Sequence, residues 1–270
     1  MVLQNLPTSR LPRPLAGAIH HLLKVDELDR LYERTRGPEF ARHLLHALQV
    51  GLHVTPADCA RIPAIGPVIA ISNHPFGILD GIVLVDLLTR TRPDVRVLTN
   101  RMLGDLPELA QLCFFVDPFD NRANRAANSR ALRQAIGHVQ SGGLLLVFPA
   151  GEVSHFDLRK CAICDPAWHP MVVRLIRRTK ARTLPVLIAG ANGLPFQVLG
   201  MIHPRLRTAA LPAELLNKRG RIIEVRIGRV VDAFRLDATP DDGEALRYLR
   251  LRTELLARRD AARPRTSAPS

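Results

Sequence analysis

Aromatic residues are scarce in this 270-residue chain: nine Phe, two Tyr and one Trp, 4% of the sequence. So few rings exclude a base-stacking platform of the kind that holds single-stranded nucleic acid. They also oblige the core to be aliphatic. Cysteine is equally sparse, and Cys59, Cys113, Cys161 and Cys164 are too few for a disulfide scaffold. Cys161-x-x-Cys164, flanked by His155 and His169, offers the donor types of a tetrahedral zinc site. Its spacing matches no standard finger, so no metal is expected. Long apolar runs are missing as well. Each is broken by polar residues well short of the about 18 that a membrane-spanning helix needs, and Met1 to Arg13 lacks the apolar core of a signal peptide. The expectation is a cytoplasmic protein, peripheral to the inner face of a membrane.

Acidic residues are the last shortage. Thirty-eight basic against 25 acidic residues give a net charge of +13, which favours an anionic partner: nucleic acid, an anionic membrane surface or a phosphorylated substrate. No helix-turn-helix, zinc finger or aromatic-studded module is present, and nucleic acid is not expected. The charge is clustered. Residues 121 to 151 carry Arg122, Arg125, Arg130 and Arg133 and no acid, and residues 169 to 182 carry Arg174, Arg177, Arg178, Lys180 and Arg182 and no acid. Solvated helix faces explain such runs as readily as a binding surface does.

What is present is an alternation. The apolar pattern predicts strands at 67–72, 95–99, 113–116, 144–148, 184–188 and 221–231, and helices at 81–90, 122–139, 169–180 and 240–258. Strands alternating with helices predict an α/β fold with a mostly parallel central sheet flanked by helices. The run at 221–231 alternates apolar with polar, as in a strand at an edge or against a single layer. Before it all, 14–50 reads as two helices, with Ile19, Leu22, Leu23, Leu28 and Leu31 on one stripe and Phe40, Leu44, Leu45 and Leu48 on another. They pack on the core or, in the alternative, lie on a bilayer or shape an acyl entrance. The division is an N-terminal helical segment at 1–55, an α/β domain at 56–260 and a disordered polar tail at 261–270.

Two stretches carry chemistry. In Ile69-Ala-Ile-Ser-Asn-His-Pro-Phe-Gly-Ile-Leu-Asp-Gly81 a buried strand ends in a polar turn. His74 sits where the strand leaves the sheet and Asp80 where a helix begins. Pro75 disfavours helix at His74 and keeps the turn open. A histidine with a nearby carboxylate is the minimal general-base pair, although such a histidine alone is more often structural. The second stretch, Gly142-Gly-Leu-Leu-Leu-Val-Phe-Pro-Ala-Gly-Glu-Val-Ser154, repeats the arrangement of strand followed by tight turn.

Together the two stretches resemble the glycerolipid acyltransferases, the superfamily that includes the acylglycerol-phosphate acyltransferases. The family's Asn-His with a spaced Asp is matched by Asn73, His74 and Asp80. Its Phe-Pro-Glu-Gly-Thr-x-Ser is matched by Phe148, Pro149, Gly151 and Ser154. Its aromatic-apolar stretch ending in arginine is matched by Phe114-Phe115-Val116 running to Arg122, with Arg125 in reserve. Its strand with a central proline is matched by Leu184-Pro185-Val186-Leu187-Ile188. The motifs span roughly residues 60 to 230 in family order. Five residues rather than four separate His74 from Asp80, and Ala150 stands where the family has Glu, with the acid at Glu152 instead. Both departures are similar to the bacterial haemolysin-like and ornithine-lipid-type acyltransferases, as is the stretch from Ile202 to Gly220.

The resemblance implies an O-acyltransferase of polar membrane lipid synthesis. A fatty acyl chain would pass from acyl-CoA or acyl-carrier protein, as co-substrate, to the hydroxyl of a lyso-lipid, with no cofactor and no metal. His74 would be the general base and Asp80 its orienter. Asn73, Gly77, Arg122, Arg125, Phe148, Pro149, Gly151, Glu152 and Ser154 would contact substrate, the arginines holding a phosphate and Glu152 an ammonium-bearing head group such as that of a lyso-ornithine lipid. Ser154 lacks the Gly-x-Ser-x-Gly elbow of a nucleophile. Two other readings of the same fold stay open: a non-catalytic lipid-binding protein, and an acyl-thioester hydrolase.

Overall fold

The computed structural model describes residues 24–37, 39–100, 107–116, 125–239 and 241–259. In chain order the elements are α1 (Val25–Thr35), α2 (Phe40–Ala47), β1 (Gly51–His53), α3 (Pro56–Cys59), β2 (Val68–Ser72), α4 (Ile78–Thr89), β3 (Val95–Asn100), α5 (Pro107–Leu112), β4 (Cys113–Val116), α6 (Arg125–Gln140) and β5 (Leu144–Val147). A small hairpin of β6 (His155–Asp157) and β7 (Ala162–Cys164) follows. Then come α7 (Met171–Thr179), β8 (Arg182–Ile188), α8 (Leu194–Ile202), α9 (Pro204–Ala209), α10 (Leu211–Asn217), β9 (Ile222–Ile227), α11 (Ala233–Asp237) and α12 (Asp242–Glu254), which closes in a short 3₁₀ turn at Leu255–Arg258.

Seven strands form one sheet in the order β1-β9-β8-β2-β5-β3-β4. Every neighbouring pair is parallel except β8 with β9. The expected fold class is thus the observed one. The central strands β2, β5 and β8 are almost wholly buried and mostly apolar, with Ser72, Arg182 and Thr183 as the polar exceptions, because both faces are covered. Val68, Ala70, Leu144 and Leu146 point into a core shared with α4, while Ile69, Ile71, Leu145 and Val147 point into one shared with α6, α7 and α12. The alternation expected at 221–231 is real. Ile223, Val225 and Ile227 face one layer, and β9 lies one strand in from the edge that β1 forms.

Leu28 and Leu31 of α1 and Phe40, Leu44 and Leu45 of α2 are buried in the first core. These two stripes therefore belong to the protein's own interior. Ile19, Leu22 and Leu23 lie outside the described residues. The polypeptide before residue 55 also contributes a strand, since Leu52 pairs with Ile223. Part of the second basic run is matched by acids from neighbouring helices on the same face of the sheet. Arg174 and Arg177 pair with Asp242 and Lys180 with Asp237, so these charges fasten α7 to α11 and α12.

The topology leaves a crevice at one end of the sheet. Neighbouring strands β2 and β5 send their following helices, α4 and α7, to opposite faces. Chains that diverge in this way leave a gap beyond the strand ends, and open α/β sheets bind ligands there. The opposite end of the sheet is sealed by Arg92, which is almost fully buried. Its guanidinium donates to Gly66 O at 2.8 Å, to Gly142 O, and to both carboxylate oxygens of Asp94. It thereby ties the loops that enter β2, β3 and β5, and it holds the Asp94 carboxyl below the usual carboxylate range. Arg92→Met keeps the aliphatic volume but leaves buried carbonyls without donors. It is expected to cost about 2–3 kcal/mol in urea denaturation. A loss of less than about 0.5 kcal/mol, the ordinary surface value, would show that the network contributes nothing to the strand ends.

Candidate active site

Helix α4 starts three residues before the position the apolar pattern predicts, with Gly77 as its N-cap and Asp80 in the first turn. Gly77 takes φ 82°, and a Cβ there would fall 2.8 Å from Leu211 and 3.1 Å from Val153. Both the backbone angle and the space demand glycine. The turn brings Asp80 back under its own start. Asp80 Oδ2 accepts the backbone N–H of Phe76 at 2.8 Å and of Gly77 at 2.9 Å, and the same oxygen lies 2.9 Å from His74 Nδ1. The two atoms lie at hydrogen-bond distance, but the bond itself is unformed. Acid–base pairs are often poorly aligned in the absence of ligand.

Asp80 is wholly buried, and His74 retains 18% side-chain exposure. Burial pushes the Asp80 carboxyl above its ordinary value, with the contact to His74 and the two backbone N–H groups acting the other way. Phe148 stacks on the imidazole, ring centres 4.2 Å apart and planes 28° from parallel. With Nδ1 turned to Asp80 and one ring face covered, Nε2 is the nitrogen left to a substrate, and no described residue bonds it. A base so oriented can take a proton from a hydroxyl and hold it as an imidazolium beside a carboxylate.

The remaining expected residues divide. Asn73 spends its amide on backbone: Nδ2 donates to Ile188 O and Oδ1 accepts Ile188 N–H, both at 2.8 Å. It clasps the end of β2 to the end of β8. Ser154 is buried and donates Oγ to Asp165 Oδ1, and its backbone N–H donates to His74 O at 2.8 Å. Pro149 is buried, while Gly151, at φ 67°, and Glu152 form an exposed turn. Glu152 is already engaged, since Arg207 Nη2 of α9 donates to its Oε2 at 2.6 Å and the arginine itself is buried. Arg122 lies outside the described residues, and Arg125 is the first residue of α6.

Two residues here were not picked out in the sequence. Asp165 is buried after β7, where it accepts His74 N–H at 3.1 Å, the Ser154 hydroxyl and the Trp168 indole N–H at 2.9 Å. It fixes the backbone of the histidine that Asp80 fixes by the ring. It carries no spacing signal, being 91 residues from its partner. Arg207 sits in the stretch singled out only for its overall resemblance. Cys161 and Cys164 do not assemble a metal site with His155 and His169. Among the described residues no group of three or more His, Cys, Asp or Glu is placed to hold an ion.

A cavity of about 160 Å³ opens beside the histidine, lined by Asn73 and Pro75 on either side of it and by Ser154, Ile163, Asp165 and Gly190. A wider one of about 290 Å³, among Arg61, Arg229, Arg252 and Arg259, touches none of the expected site residues.

The raised Asp80 carboxyl gives a signed expectation. The folded state binds this proton more tightly than the unfolded state, so the stability it contributes is present below the ordinary carboxylate range. That contribution is lost as pH rises through the folded value. Asp80→Asn removes the titration. In chemical denaturation from about pH 4 to 8, the variant is expected to gain on the natural protein as pH rises. The natural protein gaining on the variant instead would mean that the N–H groups and His74 outweigh burial.

Comparison with known proteins bears on this geometry. A family model described as an acyltransferase matches residues 13–262. Two curated relatives, each named lyso-glycine lipid O-acyltransferase, are similar over 250 residues. The one from Phocaeicola vulgatus is 23% identical, covering 89% of this chain and 86% of its own length. That from Bacteroides thetaiotaomicron is 22% identical and covers 89% of each. Among solved structures, the 1-acyl-sn-glycerophosphate (LPA) acyltransferase PlsC of Thermotoga maritima superposes with a TM-score of 0.53. It is 17% identical over 94% of this chain and 86% of its own, a likeness of fold. With the family model running through both sequence motifs and every strand of the sheet, the chain belongs to the acyltransferase family.

Proposed function

We propose that this O-acyltransferase transfers a fatty acyl chain from a thioester, acyl-CoA or acyl-carrier protein, to the hydroxyl of a lyso-lipid, with His74 as the general base. The observation that carries the reading is the buried Asp80 carboxylate 2.9 Å from His74 Nδ1. A lipid hydroxyl is a poor nucleophile until its proton has somewhere to go. Nε2 takes that proton as the oxygen attacks the thioester carbonyl, and Asp80 stabilises the imidazolium. The tetrahedral intermediate then collapses, the C–S bond breaks, and the imidazolium returns the proton to the leaving thiolate. No acyl-enzyme is needed. Ser154 is unsuited to forming one, because its hydroxyl is committed to Asp165.

For the acceptor we favour a lyso-lipid with an amino-acid head group over lysophosphatidic acid, in keeping with the relatives' names. Gly151 and Glu152 form the turn that Arg207 meets, and this turn would face the acceptor. An anionic head group reaching this turn competes with Glu152 for the buried guanidinium, whose planar fork suits a carboxylate or a phosphate. Membrane association follows from the lipid substrates and the +13 charge; no helix among the described residues is long and apolar enough to cross a bilayer.

The test is incubation with radiolabelled acyl donor and a panel of lyso-glycine lipid, lyso-ornithine lipid and lysophosphatidic acid. Acceptor-dependent product is expected, greatest with an amino-acid head group. Free fatty acid alone would identify a hydrolase, and no turnover a binding protein. His74→Ala is expected to lower transfer by about 10²–10⁴-fold with the fold intact, and natural turnover in the folded variant would remove His74 as base. Arg207→Met is expected to raise KM for the preferred acceptor at least about tenfold, leaving kcat less affected.

A further inference from the structure

Large apolar side chains are unevenly spread over the surface. Among the described residues twelve are exposed, and seven of these fall in two segments, 158–163 and 194–206. That concentration marks one patch. The two segments are joined, for Phe156 N–H donates to Gln197 Oε1 at 2.9 Å and so fixes the β6–β7 hairpin against α8. Helix α8 is apolar on both sides. Phe196 and Leu199 face inward on Val153, the residue packed against Gly77 at the start of α4. Leu194, Val198, Met201 and Ile202, at i, i+4, i+7 and i+8, share the other face, with Leu194 75% and Ile202 69% exposed. Leu158, 71% exposed, stands on the hairpin, and Ile163 both adds to the patch and lines the cavity beside His74. Exposed apolar clusters next to a site mark an interaction surface, where scattered single residues do not.

Charge selects the occupant. The hairpin tip carries exposed Arg159 and Lys160, Lys160 lying 3.5 Å from Asp157. No acidic residue occurs from 189 to 213. An apolar face with cations at its hairpin end complements an anionic lipid surface. A second copy of the chain would set cation against cation. Helices α1 and α2, whose amphipathic stripes could have served, spend them on the core.

We propose that the outer face of α8 and the β6–β7 hairpin seat the protein on an anionic bilayer, with the cavity beside His74 opening at the lipid surface. The purpose rests on the acyl-transfer reading; the contact does not. Such seating delivers the acceptor without full extraction from the membrane. The cavity of about 160 Å³ fits this, being smaller than the roughly 300 Å³ at which enclosed ligand pockets begin.

The experiment is sedimentation of the full chain with phosphatidylcholine vesicles with and without phosphatidylglycerol. The natural protein is compared with Leu194→Asp/Ile202→Asp, with Leu158→Asp and with Arg159→Glu/Lys160→Glu, each checked for folding by circular dichroism. Leu158→Asp, on a turn, serves if the helix double variant does not fold. The apolar-to-acid variants are expected to weaken binding to both vesicle types at least about tenfold. The charge variant is expected to lower binding to anionic vesicles alone and to flatten its salt dependence. Turnover of short-chain, water-soluble substrates is expected to stay within about twofold, while turnover of vesicle-borne acceptor falls with binding. Unchanged vesicle binding in folded apolar-to-acid variants would overturn the proposal. So would a natural dimer, seen by light scattering, that these variants split. Vesicle binding through this face with no acyl transfer would sink the functional reading and leave the surface standing. Normal turnover of vesicle-borne acceptor by the apolar-to-acid variants would do the reverse.

Discussion

The carboxylate of Asp80 is held where water does not reach it, and an ion in such a place survives only with partners to replace its hydration. Those partners are backbone N–H groups at the positive end of α4 and the imidazole of His74. Much of the local structure follows. The chain must double back between His74 and Asp80, which requires a left-handed residue at Gly77. It must do so without a Cβ, because Leu211 and Val153 close over the turn. His74 must then be held from behind. Asp165 holds its backbone, Phe148 its ring face, and the Asn73 clasp on Ile188 fixes the strand end from which it projects.

The fold was largely legible in the sequence, because buried parallel strands are apolar runs and their helices carry period-3.6 stripes. The predicted strands at 67–72, 95–99, 113–116, 144–148 and 184–188 lie within two residues of those observed. The short elements were not legible. The hairpin β6–β7 and helices α8 to α10 are built on local turns and on contacts to distant residues, and α8 is apolar on both sides, so it shows no one-sided stripe. The antiparallel placement of β9 against β8 leaves no local trace either, since alternation reveals a single covered face and says nothing of strand direction.

In the site, His74 and Asp80 could be read because they belong to one turn, where spacing reports geometry. Asp165 and Arg207 could not. Each reaches its partner across the fold, Arg207 meeting Glu152 from 55 residues away. In the sequence alone Glu152 reads as a carboxylate free to meet an ammonium. Its pairing with the buried guanidinium of Arg207 means that the acid is already engaged.

Strand β1 has no partner near it in the chain. It lies at the sheet edge beside β9, Leu52 opposite Ile223, and among the described residues meets no other strand. During synthesis this strand must wait for its partner at Ile222–Ile227 to be made. Helices α1 and α2 can settle on α4 before that pairing is possible. Long-range parallel pairing of this kind slows folding and leaves an unpaired edge exposed meanwhile. β1 is only three residues long, and an edge so short offers a stray strand little to pair with during the wait.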